Sequence, residues 1–440
     1  MSLRRSFSAA NAFFTPPGPE SAYSVPNPKD IFREQLPNGI VVLSRANYNS
    51  PSVALSGYLT VGGLFDPDEK LGLASFTSAA LMRGTRSRDF QGIYDALESV
   101  GASLGFDSGT HTLNYGGKAL VEDLSLLLDL LAEALRYPTF PLDQVERLRS
   151  QLLTGLAIRA QNTGEMAALT FDQIAYSNHP YSRPEDGYPE TIQAIDRVGL
   201  VDFQRTMYGP AGMVIAVVGA LESEQVMGLV AGTLGDWSNP DQPKPPDLPP
   251  LTLLEELAMR KTIIPGKSQA DIVLGAPGPS RLAPEYMAAA LGNNILGQFG
   301  MMGRIGDVVR ERAGLAYYAS SSLGGGIGPG PWRVVAGVDP VNVEKTIDLI
   351  RQEIARFVNE PVEDEELADS QANFIGRLPL TLESNAGVAN GLLNIERYDL
   401  GLDYYLRYPD LVRSVTVEQV LETARRYLHP ERLAVGIAGP

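Results

Sequence analysis

Side chains able to bind a metal or attack a carbonyl are scarce in this chain. Three histidines stand among 440 residues, and there is no cysteine. The lack of cysteine excludes disulfides, thiolate zinc sites, iron–sulfur ligation and a cysteine nucleophile together. His111, His179 and His429 lie far apart, and none has a histidine or carboxylate four residues on to make a ligand pair. A zinc catalyst needs about three nitrogen or oxygen ligands converging on an open tetrahedron. No metal centre is therefore expected in this chain alone. His111, within Thr110-His111-Thr112, reads as an outward-facing strand residue, while His179 and His429 each precede a proline, in a turn and at a helix end. No G-x-S-x-G elbow, S-x-x-K or Walker loop supplies a nucleophile or phosphate cradle.

Two other constellations remain. Arg310 and Tyr317 stand on either side of Gly314, the arginine at the end of an expected helix and the tyrosine at the start of an expected strand. A guanidinium and a phenol so placed can donate hydrogen bonds to a peptide carbonyl or a developing oxyanion. The plainer reading is a helix-end charge beside a packed aromatic. Gly324, Gly325, Gly326 and Gly328 belong to the one glycine-dense loop, Gly324 to Gly330. Without a following lysine and helix start it is no phosphate cradle. It reads either as a loop bearing on a partner or peptide, or as a long turn between the strand-like Ala319–Ser322 and Trp332–Val335.

The elements that must position these residues repeat. Tyr208 to Gly219 matches Leu428 to Gly439 at an offset of 220, and the same offset carries Arg205 onto Arg425, Glu133 onto Glu353, Arg136 onto Arg356 and Pro141 onto Pro361. It also sets Leu71-Gly72 on Leu291-Gly292 and Gly117 on Gly337. A shared offset over so long a stretch indicates two copies of one unit of about 220 residues. Ser238 to Pro250 holds six prolines in thirteen residues, the composition of a semi-rigid spacer. The expected organisation is a leader over 1–29, a first domain over 30–237, a linker over 238–251 and a second domain over 252–440. Within a copy, Ile40–Leu43, Val53–Val61 and Thr110–Lys118 read as strands. Leu71–Met82, Gln91–Val100, Glu122–Tyr137 and Pro141–Arg159 read as helices, and Asp196 and Thr416 as equivalent helix starts, Thr416 with Gln419 as a capping box. Val214–Val218 and Leu433–Ala438 close the copies as apolar strands. Strands and helices in this mixed order indicate an α+β fold, each copy a mixed or antiparallel sheet with helices packed on one face.

Hydrophobic residues make up 44% and charged residues 20%, enough for a large core. The formal net charge is −16, which disfavours nucleic acid and anionic membranes as partners and suits basic peptides. No apolar run is long enough to span a bilayer. The first residues carry Arg4 and Arg5 but no apolar core of signal length, so the default address is cytoplasmic.

At Leu71 to Thr85, and again from Asn294 to Gly300 through Arg310-Glu311 and Gly314 to Tyr317, the sequence resembles the insulinase and pitrilysin-like peptidases. These are inverted zincins that include the mitochondrial processing peptidase. The duplication and the proline-rich connector fit the same resemblance, which runs from about Asp30 to the end. The family's H-x-x-E-H supplies two zinc-ligating histidines and a glutamate base. Here Ser75, Ser78 and Ala79 hold those positions, and the distal ligating glutamate falls near Gly155. The resemblance thus implies a non-catalytic subunit with no metal and no catalytic residue of its own, forming half of a clam-shaped chamber. A zinc-bearing homologous chain would form the other half. It further implies that Arg310 and Tyr317 bind peptide substrate and support the transition state in the partner's reaction. A homodimer is left open where that partner is absent. The rival expectation is a structural or peptide-binding scaffold of the same fold, as among the family's respiratory-chain relatives.

Overall fold

The computed structural model of the chain describes residues 25–300 and 303–440, so most of the expected leader lies outside the described residues. Eleven strands among them make two sheets. The first contains β1 (Phe32–Gln35), β2 (Val41–Ala46), β3 (Ser52–Leu59), β4 (Ser103–Ser108), β5 (Leu113–Leu120) and β6 (Val214–Gly219) in the order β1-β2-β6-β3-β5-β4. The second contains β7 (Ala258–Ile263), β8 (Ala270–Pro277), β9 (Ala316–Leu323), β10 (Pro331–Val338) and β11 (Ala434–Gly439) in the order β7-β11-β8-β10-β9. Leaving out β1, the two orders are the same. Each sheet has one parallel pair, β2 with β6 and β11 with β7, and is otherwise antiparallel. These are the mixed sheets of an α+β fold.

One face of each sheet is covered by helices of its own half. Leu127, Leu128, Leu131 and Leu135 of helix Leu124–Arg136 pack with Val42, Leu55, Ile215 and Val217. In the second half, Ile347, Ile350, Ile354 and Phe357 of helix Val343–Asn359 pack with Leu274, Val334 and Val435. The spacing of these apolar residues is that of a helix with one buried stripe.

The opposite faces are covered by exchange. Helix Thr163–Ala175 leaves the first half and lays Ala167, Phe171 and Ala175 on Val273, Ala434 and Ala438 of the second sheet. Helix Asn385–Arg397 returns the contact, setting Val388, Leu392 and Ile395 against Leu43, Val214, Ala216 and Val218 of the first. A sheet buried on both faces needs strands that are apolar at every position rather than at alternate ones. That is why β6 and β11 are buried along their whole length.

Local differences from the sequence reading have local causes. The strand expected from Thr110 begins at Leu113, because β4 pairs with β5 as a hairpin and residues 109–112 make its turn. His111 is therefore a turn residue and not a strand residue. The offset of 220 holds between β6 and β11, but β3 and β8, like β5 and β10, are displaced by 218. Gly117 and Gly337, and Leu71-Gly72 and Leu291-Gly292, are thus not structural equivalents. A difference of two residues in the connections shifts the register. Asp196 and Thr416 do cap equivalent helices, accepting from the amides of Gly199 and Gln419. Among the described residues no helix is long and apolar enough to cross a membrane.

Candidate functional site

The helix carrying Ser75, Ser78 and Ala79 spans Leu73–Ala80, two residues later than its apolar run begins. Gly72 sits at φ +91°, a left-handed conformation that interrupts helical geometry and favours glycine. The buried carboxylate of Asp66 accepts from the amides of Gly72 and Ala74, both at 2.9 Å, and so ties down the helix N-terminus. Burial pushes the Asp66 carboxyl up to about 7, against the opposing pull of the Ala74, Gly72 and Leu73 amides. Nothing in the spacing announces this cap, since Asp66 lies six residues before Gly72 and outside any N-cap pattern.

Ser75 and Ala79 share a half-buried face of this helix, one turn apart, while Ser78 is buried and its hydroxyl donates to the Ser75 carbonyl at 2.8 Å. Gly155 lies exposed on helix Leu142–Arg159 with no heavy atom within 4 Å of where a Cβ would stand. Two hydroxyls, a methyl and a glycine offer neither imidazole nor carboxylate, so these residues do not fit a zinc ion. Among the described residues no group of three or more histidine, aspartate or glutamate side chains could hold a metal. The structure does bring His111 and His179 together, on either side of Tyr181. The His111 Nε2 lies 2.6 Å from the Tyr181 hydroxyl, and the His179 Nδ1 accepts from the Tyr181 amide at 3.2 Å. Burial, with Arg397 and His179 nearby, lowers the His111 pKa. His429 is exposed at a helix end, as read from sequence.

Helix Leu73–Ala80 lies against β4, one of the two edge strands of the first sheet. The corresponding free edge of the second sheet is β9, and Tyr317 stands on it with 72% of its surface exposed. Arg310 lies in the wide π-helical turn Asp307–Arg312, half-exposed, its Nε 3.6 Å from Glu311. Gly314, at φ +63°, turns the chain back, and its amide donates to the Arg310 carbonyl at 3.1 Å. The expected helix–turn–strand order is present, with a π-turn where an ordinary helix end was expected. The next residue, Tyr318, points to the opposite face of β9 and donates to the buried carboxylate of Asp271. Asp271 also accepts from the Thr163 hydroxyl and from Gln269 Nε2 at 3.0 Å. Burial and this hydrogen bond raise the Tyr318 pKa. No motif contains Tyr318 or Asp271, because the contacts that join them to each other and to Thr163 are made only by the fold.

The glycine loop closes the β9–β10 hairpin. Gly328 is buried beneath the Tyr181 hydroxyl, Gly325 lies against the Tyr286 hydroxyl, and Tyr176 donates to the Pro329 carbonyl at 3.0 Å. Arg281 N–H donates to the Gly326 carbonyl at 2.9 Å. The loop is thus held from both halves of the chain, and Gly325 and Ile327 are its exposed residues.

Comparison with known proteins agrees with this architecture. Residues 41–185 match the family described as insulinase (peptidase family M16), and residues 194–374 match the peptidase M16 inactive domain. A zinc protease of Mycobacterium leprae, itself uncharacterized, is 26% identical over 418 residues, covering 93% of this chain and 92% of that protein. An Arabidopsis thaliana protein named as a probable mitochondrial-processing peptidase subunit beta is 26% identical over 192 residues, 44% of this chain and 36% of that one. The crystal structure of a peptidase M16 inactive domain from Pseudomonas fluorescens superposes with a TM-score of 0.85 at 27% identity, over 93% of this chain and 98% of that chain. With both halves matched in order and the whole two-sheet fold shared, the chain belongs to the insulinase family of peptidases, family M16.

Proposed function

We propose that this chain is the non-catalytic member of a two-chain M16 peptidase, residues 30–237 and 252–440 forming its two peptidase-like domains. One observation carries the reading. The helix that would present H-x-x-E-H is built and capped beside a free sheet edge, yet Ser75, Ser78 and Ala79 leave it without ligand or base. Tyr317, by contrast, is open to solvent on the edge strand of the other sheet, with Arg310 half-exposed in the turn that leads into it.

In this reading the chain forms half of a chamber with a zinc-bearing homologue, and the metal and base belong to that partner. An extended peptide can pair with an unoccupied sheet edge through its own backbone. Arg310 holds a backbone carbonyl or carboxylate of the peptide. Tyr317 donates its hydroxyl to the scissile carbonyl oxygen as negative charge develops there. The net charge of −16 favours basic peptides through long-range attraction.

The test is coexpression with a homologue that retains H-x-x-E-H, followed by copurification and a peptide-cleavage assay. Tyr317→Phe should lower turnover by about 10²–10³, the usual loss for one oxyanion donor. An assembled mutant pair with unchanged turnover would leave the chain as a scaffold. Stoichiometric zinc and peptide cleavage by the isolated chain would overturn the reading altogether.

A further inference from the structure

A cavity of about 730 Å³ opens in the second half, walled by the segment leading into helix Tyr286–Gly297, the turn after helix Asn385–Arg397, and helices Tyr404–Arg413 and Val417–Tyr427. Its distinctive member is Arg281. The guanidinium carbon lies 4.6 Å from the ring centre of Tyr286 and 5.8 Å from those of Tyr398 and Tyr404. One Nη donates to the Tyr404 hydroxyl at 2.7 Å. Among the described residues no carboxylate lies within ion-pairing distance of Arg281, although Glu285 lines the same cavity. Glu285 is already engaged, by Arg426 at 2.9 Å and the Tyr427 hydroxyl at 2.6 Å.

Three rings therefore fix the plane of a guanidinium and satisfy one of its donors, leaving the rest of the fork without a protein acceptor. A fixed planar fork is the group best matched to a carboxylate, which it binds through two parallel hydrogen bonds. Glu422 and Asp399 line the cavity too, and neither lies within ion-pairing distance of a cation among the described residues. The walls thus offer one unpaired cation, Arg281, and two carboxylates outside any ion pair, of which Asp399 lies in the field of Arg33. The volume is that of a site for a molecule of a few residues. We propose that this cavity binds the C-terminal end of a short peptide, its free carboxylate on Arg281 and a basic group toward Glu422 and Asp399. The site is independent of Arg310 and Tyr317 and needs no partner chain.

The experiment is calorimetric titration of the full chain with a lysine-containing tetrapeptide, as the free acid and as the C-terminal amide. The free acid should bind about tenfold or more tightly than the amide. Arg281→Gln should reduce the acid to the affinity of the amide, and Arg281→Lys, which keeps the charge but loses the fork, should fall between. Equal binding of acid and amide, binding unaffected by Arg281→Gln, or no binding of the acid at millimolar concentration would overturn the assignment. The acid-against-amide comparison uses the unaltered chain, so it decides the matter even if Arg281→Gln does not fold.

Discussion

Thr163 opens the helix that the first half lends to the second sheet, and its hydroxyl donates to the buried carboxylate of Asp271 on β8. Tyr318 of β9 and Gln269 donate to the same carboxylate. One side chain therefore joins the exchanged helix to the strand that displays Tyr317.

Replacing that carboxylate by a hydrocarbon of similar size leaves two hydroxyls and an amide without their acceptor. Asp271→Leu should cost about 2–4 kcal/mol, since a fully buried donor left unpaired costs about 1–3 kcal/mol and these three donors are only partly buried. Urea denaturation monitored by circular dichroism measures it. An unchanged midpoint would mean that the network contributes nothing to holding the halves together.

Asp66 makes stability depend on pH. Its carboxyl titrates at about 7 in the folded chain, against an ordinary value of 3.8, so the folded state holds this proton more tightly than the unfolded state. The protonated form suits the fold, and the stability linked to it is lost as pH rises from about 4 to about 7. Asp66→Asn removes the ionisation, though it also loses one acceptor at every pH. The difference in unfolding free energy, variant minus parent, should rise by about 2 kcal/mol between pH 5 and pH 8. A difference that stays flat, or falls, over that range would refute the assignment.

At Gly436 of β11 the backbone of the exchanged helix lies close against the strand. A Cβ there would intrude on the Ala167 carbonyl and the Phe171 amide nitrogen, both backbone atoms of helix Thr163–Ala175. Backbone of a packed helix cannot swing aside as a flexible side chain can. Gly436→Ala should therefore destabilise by about 1–3 kcal/mol despite being an ordinary strand substitution elsewhere. Thermal denaturation at the parent's midpoint or above it would show that the helix yields freely.

The proposed function makes helix Leu73–Ala80 a place where zinc ligands can be installed. Ser75→His, Ser78→Glu and Ala79→His restore the i, i+3, i+4 pattern on helix Leu73–Ala80, and Gly155→Glu enters open space. The fourfold variant should bind roughly one zinc per chain by elemental analysis after dialysis, while the parent binds none. No zinc in a variant that folds would show that the two helices no longer stand in a metal-binding relation.

Much of the fold could be read from residues whose partners are near in sequence. The apolar stripe of helix Leu124–Arg136, the Thr416 cap and the closing strands β6 and β11 are local patterns, and the structure shows them near the expected places. Elements fixed by long-range contact were less legible. β4 does alternate between exposed and covered residues, but two serines, a glycine and an aspartate in six residues are weak strand formers, and the pattern of Arg310 and Gly314 could not tell a π-turn from an ordinary helix end. Asp66, Asp271 and Arg281 have partners set by packing rather than spacing, so no motif contained them.

The sequence by itself determined the duplication, the mixed α+β character and the scarcity of histidine and absence of cysteine, because each is a property of residue identity and short-range period. Only the tertiary structure decided which sheet each apolar helix covers. A helical stripe states that a face is buried and not what buries it, and here helices Thr163–Ala175 and Asn385–Arg397 each cross to the other half's sheet.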